Sequence, residues 1–94
     1  MPQVVKLTIY GIRVLKFFHR KPDQWRSGSE ISKALQIING TLYPLLFRFE
    51  KAGLLKSKWE AGTPKKLKRP LKRQYRLTAL GKKRFLFESE KLKR

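Results

Sequence analysis

Residues 27–55 read SGSEISKALQIINGTLYPLLFRFEKAGLL, and this stretch decides the fold. Ser27 to Glu30 matches the capping box S-x-x-E, in which a hydroxyl and a carboxylate satisfy amides that a helix start leaves unpaired. Ile31, Ala34 and Leu35 follow at helical spacing, so a short helix is predicted from about Gly28 to Gln36. After a tight connection, Leu42, Leu45, Leu46 and Phe49 form the i, i+3, i+4, i+7 stripe of another helix. Lys51-Ala52-Gly53 ends it, with Gly53 at the left-handed position that follows a helix C-cap. Pro44 lies early in this helix, so its first regular turn is expected to start near Asn39 to Thr41 or to be irregular there. Two helices joined so tightly make a helix-turn-helix.

Upstream, Val4 to Arg20 is also helical in spacing. Val4, Leu7, Gly11, Val14, Leu15 and Phe18 share one stripe, with Tyr10 and Phe17 at its edge, and Val5, Ile9 and Ile12 make a second patch nearly opposite. Pro22-Asp23 breaks that helix. Downstream the period changes to two. Leu55, Ser57 and Trp59 alternate with Lys56 and Lys58, and Arg73 to Thr78 gives a second strand with Tyr75 and Leu77 on one side. Gly62, Pro64 and Pro70 punctuate the loop between them, which is expected to hold no regular element. Thr78 can cap a last helix from Ala79 to about Lys91. The predicted fold class is mainly α with a small β-hairpin: a winged helix-turn-helix of three helices, a two-stranded wing and a C-terminal helix. It forms a single domain over residues 1–94. The last helix turns Leu80 with Phe87, Phe85 with Leu92, and Leu86 toward three different sides. Together, Val5, Ile9, Ile12, Phe85, Leu86 and Leu92 exceed what so small a core can cover. A homodimer through segments 1–21 and 79–94 is therefore expected.

The charge balance points to the partner. Lys and Arg number 24 against 6 Asp and Glu, for a net charge of +18. A folded domain with that charge repels itself unless an anion offsets it, so nucleic acid leads and an acidic membrane surface comes second. Residues 1–63 carry 11 basic and 4 acidic side chains, net +7, whereas residues 64–94 carry 13 and 2, net +11. Lys65, Lys66, Lys68, Arg69, Lys72, Arg73 and Arg76 follow one another with no acid between them. Such a run makes sense lying along phosphates, where released counterions supply the favourable free energy. The wing, about residues 61–73, is therefore expected on the DNA backbone. The helix at about 39–52 is expected in the major groove. Opposite its apolar stripe lie Gly40, Thr41, Pro44, Phe47, Arg48 and Lys51, with Tyr43 on the flank. Glycine and threonine allow close approach to a groove, and Arg48 can pair with guanine edges or a phosphate.

Enzyme chemistry is not expected. The acids are Asp23, Glu30, Glu50, Glu60, Glu88 and Glu90, and the only histidine, His19, sits in a basic helix end with no acid beside it. It reads as a solvated helix-terminal side chain. No glycine-rich phosphate loop and no cysteine is present, so neither a cofactor nor a metal site is expected. Lys6 interrupts any signal-peptide pattern, and no run approaches the ~20 apolar residues of a membrane span. The basic cluster lies in a proline-interrupted loop rather than on an amphipathic helix, which argues against a membrane partner.

These residues also resemble a known family. Ser27 to Ile31, the run Gly40 to Leu55, Ser57 to Glu60, the Arg69-Pro70 turn and Arg73 to Gly81 look like the PadR family of bacterial and archaeal transcriptional regulators. The pattern G-T-L-Y-P-x-L-x-R-x-E-x-x-G-L is long and specific. The resemblance implies a winged-helix homodimer that binds operator DNA and usually represses, in the prokaryotic cytoplasm at the nucleoid. It also implies DNA contacts at Tyr43, Thr41 and Asn39. The chain departs from the pattern at Ile38-Asn39, where the family often has Ser-Pro, so the usual helix cap is missing. Founding members respond to phenolic acids, but nothing in this sequence marks an effector site. The rival reading, a small basic structural RNA-binding protein, rests on the same lysine-rich composition.

Overall fold

Thr8 opens the first helix. Its hydroxyl accepts the Gly11 amide at 3.1 Å, satisfying one donor that a helix start leaves free. The computed structural model describes residues 7–92, apart from the Leu92 side chain. Helix α1 runs Ile9–Arg20 and buries Gly11, Val14, Leu15 and Phe18, the stripe expected from its spacing. Val4 and Val5 lie outside the described residues.

Helix α2, Gly28–Leu35, begins with both halves of the capping box. The Ser27 hydroxyl accepts the Glu30 amide at 3.2 Å, and the Glu30 carboxylate accepts the Ser27 amide at 3.3 Å. Gln36, left-handed at φ 55°, ends it. Helix α3, Asn39–Lys51, starts after Ile38 with no side-chain cap, so the departure seen at Ile38-Asn39 is structural. Pro44 lies inside α3, past the four amides that a helix start leaves free, so its ring nitrogen cannot donate to Gly40 O. At the far end Gly53 takes φ +80°. Its amide reaches Glu50 O at 3.0 Å, and the Leu54 amide reaches Phe49 O at 2.8 Å. These are the two bonds of a Schellman stop.

The sheet has three antiparallel strands rather than the two expected. β1 is Arg26–Ser27, β2 is Leu55–Trp59 and β3 is Arg73–Leu77, in the order β1-β3-β2. Register pairs Leu55 with Leu77 and Ser57 with Tyr75, which turns Leu55, Tyr75 and Leu77 into the core. The loop between β2 and β3 is not irregular throughout. Pro64–Leu67 forms a single helical turn, α4, because Thr63 accepts the Lys66 amide at 3.2 Å and Pro64 takes the first helical position.

Helix α5, Ala79–Leu92, follows Thr78. That hydroxyl accepts the Gly81 amide at 2.9 Å and lies 2.6 Å from Gly53 O and 3.0 Å from Leu54 O, donating to one at a time. Gly81 is where the helix meets the chain leaving α3, too closely for any side chain. Phe85 then enters the core, which joins α1, α2, α3 and the sheet around Leu15, Phe18, Ile31, Leu42, Leu46 and Phe49. Burying each such side chain contributes about 1.5–3 kcal/mol. His19 is half-buried and stacks on Phe85 with ring centroids 4.7 Å apart, so it is not the solvated helix-end group expected.

Candidate nucleic-acid interface

Because Leu42, Leu46 and Phe49 are wholly buried, the rotation of α3 is fixed and its other side must face solvent. Asn39, Gly40, Tyr43, Pro44, Phe47, Arg48 and Lys51 are exposed there, and Thr41 is half-buried. Phe47 is the most apolar group on this face. It is 59% exposed, with the Lys51 ammonium 5.0 Å from its ring centre. Charge patterning does not single it out, although its place opposite the buried stripe is legible from spacing.

Tyr43 is held from behind. A Cβ on Gly28 would lie 2.5 Å from the Tyr43 hydroxyl and 2.7 Å from its ring, so the ring lies directly on the glycine backbone at the start of α2. Ser27, Gly28, Ser29, Tyr43, Leu71, Lys72 and Arg73 line one cleft of about 270 Å³ between the two helices and the wing. Three of the expected site residues, Tyr43, Lys72 and Arg73, are thus brought together.

The wing is braced by Glu60. Its carboxylate pairs with the Arg69 guanidinium through two contacts, one at 3.2 Å, and accepts the Lys72 amide at 2.8 Å. The Arg69 hydrogen bond, and then the Lys72 amide, hold the Glu60 carboxyl below the usual carboxylate range, and the same pairing raises Arg69. Arg73 donates to Ser57 Oγ at 3.1 Å, lies 3.8 Å from Glu50 and stacks over Trp59 at 5.1 Å. Ser57 in turn donates to Glu50. Burial, with Glu50 nearby, raises the Tyr75 phenol and keeps it protonated. Lys65, Lys66, Lys68 and Lys72 stand exposed around this frame. Among the described residues every ion pair joins an arginine to an acid: Arg26–Glu30, Arg69–Glu60, Arg73–Glu50, Arg76–Asp23 and Arg84–Glu88. The wing also carries an open apolar hollow of about 760 Å³, lined by Trp59, Pro64, Pro70 and Leu71.

The residues expected at a dimer interface divide. Ile9 is 78% exposed, and Leu86, Leu80 and Phe87 are exposed as well. Ile12 is half-buried against the core. Phe85, expected to face a partner, is buried in the chain's own core by its stacking on His19. Val5 and the Leu92 side chain lie outside the described residues. Ile9, Ile12, Arg13, Lys16, Phe85 and Ser89 line a groove of about 290 Å³ between α1 and α5. No described helix is long and apolar enough to cross a membrane.

A capped helix-turn-helix followed by a braced two-stranded wing defines a winged-helix transcriptional regulator. The chain belongs to the transcriptional regulator PadR-like family, whose model matches residues 8–86. Its structure is similar to that of a PadR family transcriptional regulator from Eggerthella lenta DSM 2243. That pair is 26% identical with a TM-score of 0.71, covering 88% of this chain and 73% of the other. A PadR-like transcription factor from Bacteroides fragilis is 25% identical with a TM-score of 0.71, covering 88% and 82%. A transcriptional regulator from Thermoplasma acidophilum shares the fold at 23% identity and a TM-score of 0.71, covering 88% and 79%. No curated protein matches the chain.

Proposed function

We propose that the chain binds a specific double-stranded DNA operator as a homodimer and represses transcription there, in the cytoplasm. The observation that carries this is the continuity of two surfaces, the outward face of α3 and the lysines of the wing, across the cleft at Tyr43. In this reading Arg48 reads a base edge in the major groove, with Asn39, Thr41 and Tyr43 beside it. Gly40 and Pro44 permit close approach, and Lys51 meets the backbone. Lys65, Lys66, Lys68 and Lys72 lie along phosphates, while Arg69 and Arg73 chiefly shape the wing. Exposed Ile9 and Leu86 support pairing of two chains through α1 and α5. A two-fold dimer would set two α3 helices against successive major grooves, roughly 34–36 Å apart. Occupying those grooves denies them to other proteins, which is the direct route to repression.

The test is selection of a preferred duplex from a random pool, followed by binding of wild type and Arg48→Ala. Loss of a bidentate base contact should cost about 1–3 kcal/mol on the selected duplex and far less on random DNA. Equal losses on both would make Arg48 a phosphate contact. Preference for structured RNA over every duplex would overturn the reading.

A further inference from the structure

The sheet has a second side. Leu55, Tyr75 and Leu77 point into the core, and α3 is tied to that same side through Glu50 to Ser57 and Arg73. Alternation therefore turns Lys56, Lys58, Gln74 and Arg76 outward, away from α3. Three of these four are cations, and they converge on one ring. The Lys58 ammonium lies 4.4 Å from the Trp25 ring centre, Arg76 5.9 Å and Lys56 6.0 Å. Lys56 also sits directly opposite Arg76 in the ladder. Like charges facing each other across antiparallel strands destabilise the pair unless an anion lies between or over them. Among the described residues Asp23 is the one acid that pairs with them, 3.0 Å from Arg76 on a side chain that is 92% exposed, and Arg76 also donates to Pro22 O at 3.3 Å. A hollow of about 340 Å³ beside them is lined by Asp23, Lys56, Arg76, Thr78 and Lys82 among others, which adds a further cation.

We infer that this outer sheet face binds the phosphates of a second DNA duplex, so that one protein bridges two duplexes. The inference rests on the reading of α3 and the wing as the first DNA surface. The indole holds the cations together without neutralising them, because its ring attracts charge through a quadrupole and carries none of its own. A polyanion supplies what Asp23 alone does not. The hollow is polar and the indole half-buried, so the face offers phosphate recognition rather than insertion into lipid.

The experiment uses a bead-bound duplex, the whole protein and a second, fluorescent duplex. Wild type should retain the second duplex, and Lys56→Gln with Lys58→Gln should lower that retention by about tenfold while leaving binding of the first duplex unchanged. The salt slope of bridging should fall by about 0.9 log unit for each lysine removed. Unchanged first-duplex binding shows that the variant folds. Arg20→Gln with Lys33→Gln, exposed at the end of α1 and on α2, is the charge-matched control and should bridge normally. Equal bridging by the outer-face variant, equal loss in the control, or capture of structured RNA in preference to the second duplex would each overturn the inference. Failure of wild type to retain the second duplex while holding the first also overturns it. Failure to hold the first duplex instead overturns the reading of α3.

Discussion

Replacing Gly81 with alanine should destabilise the protein by about 2 kcal/mol, within a range of about 0.5–4. The added Cβ would lie 2.1 Å from Leu54 O, 2.8 Å from Leu77 Cδ1 and 3.0 Å from Leu54 C. Leu77 can rotate a methyl away, but Leu54 O is backbone. It is held by the Thr78 amide at 3.1 Å, with the Thr78 hydroxyl 3.0 Å away. Relief therefore requires α5 to lift from the chain leaving α3. Overpacking of this kind costs about 1–3 kcal/mol. A hydrogen bond lost at Leu54 O adds about 0.5–1.5. Alanine's better helix preference returns about 0.5–1 kcal/mol. In a domain of this size each kcal/mol moves the melting midpoint by about 4–8 °C, so circular dichroism should record a fall of about 8–16 °C. Gly40→Ala is the companion, since nothing lies within 4 Å of a Cβ there. It should melt at or above the wild-type temperature. A Gly81→Ala protein that melts within about 2 °C of wild type would refute the reasoning.

Replacing Lys65, Lys66 and Lys68 together with glutamine should weaken binding to all duplexes alike and flatten the salt dependence by about 0.9 log unit per lost phosphate contact. An unchanged slope in a filter-binding titration would remove the wing from the backbone. Ile9→Glu should abolish the dimer in sedimentation equilibrium at low micromolar concentration, because it places a charge on an apolar face. A wild type that already sediments at 11.1 kDa would contradict the proposed assembly. Glu60→Gln bears on pH. The folded carboxyl is held below its unfolded value, so its stabilisation is complete at and above the usual carboxylate range. It is lost as pH falls through the folded value. The stability gap between wild type and Glu60→Gln should therefore hold steady at neutral pH and close only in acid, and a gap undiminished at about pH 2 in urea titrations would count against the brace.

The helix-turn-helix was legible because its signals are local. A capping box, an i, i+3, i+4, i+7 stripe and a glycine stop each lie within a few residues, and each reappears in α2 and α3. The features that escaped depend on distant partners or on double use of one residue. β1 is too short to show a period, and its Ser27 already reads as a cap. Pro64 reads as a breaker from composition, yet at the first position of a turn it is a starter. Which side of α5 faces inward is set by Gly81 against Leu54 and Phe85 against His19, neither of which spacing within the helix can reveal. The outward face of α3 followed from its stripe. The Tyr43 seat on Gly28 did not, since it depends on the angle between two helices.

The division of charge between arginine and lysine has a consequence for how the free and bound protein respond to their medium. The ion pairs of the described residues are short-range and engage arginines, so added electrolyte weakens each only modestly. The larger effect on the free chain is the mutual repulsion within a surplus of +18, which electrolyte screens over about 10 Å at 0.1 M. Rising ionic strength therefore favours the folded, DNA-free protein while it releases the protein from DNA. Fold and complex are driven in opposite directions by the same ions. At low ionic strength the chain depends most on a polyanion to relieve its own internal stress.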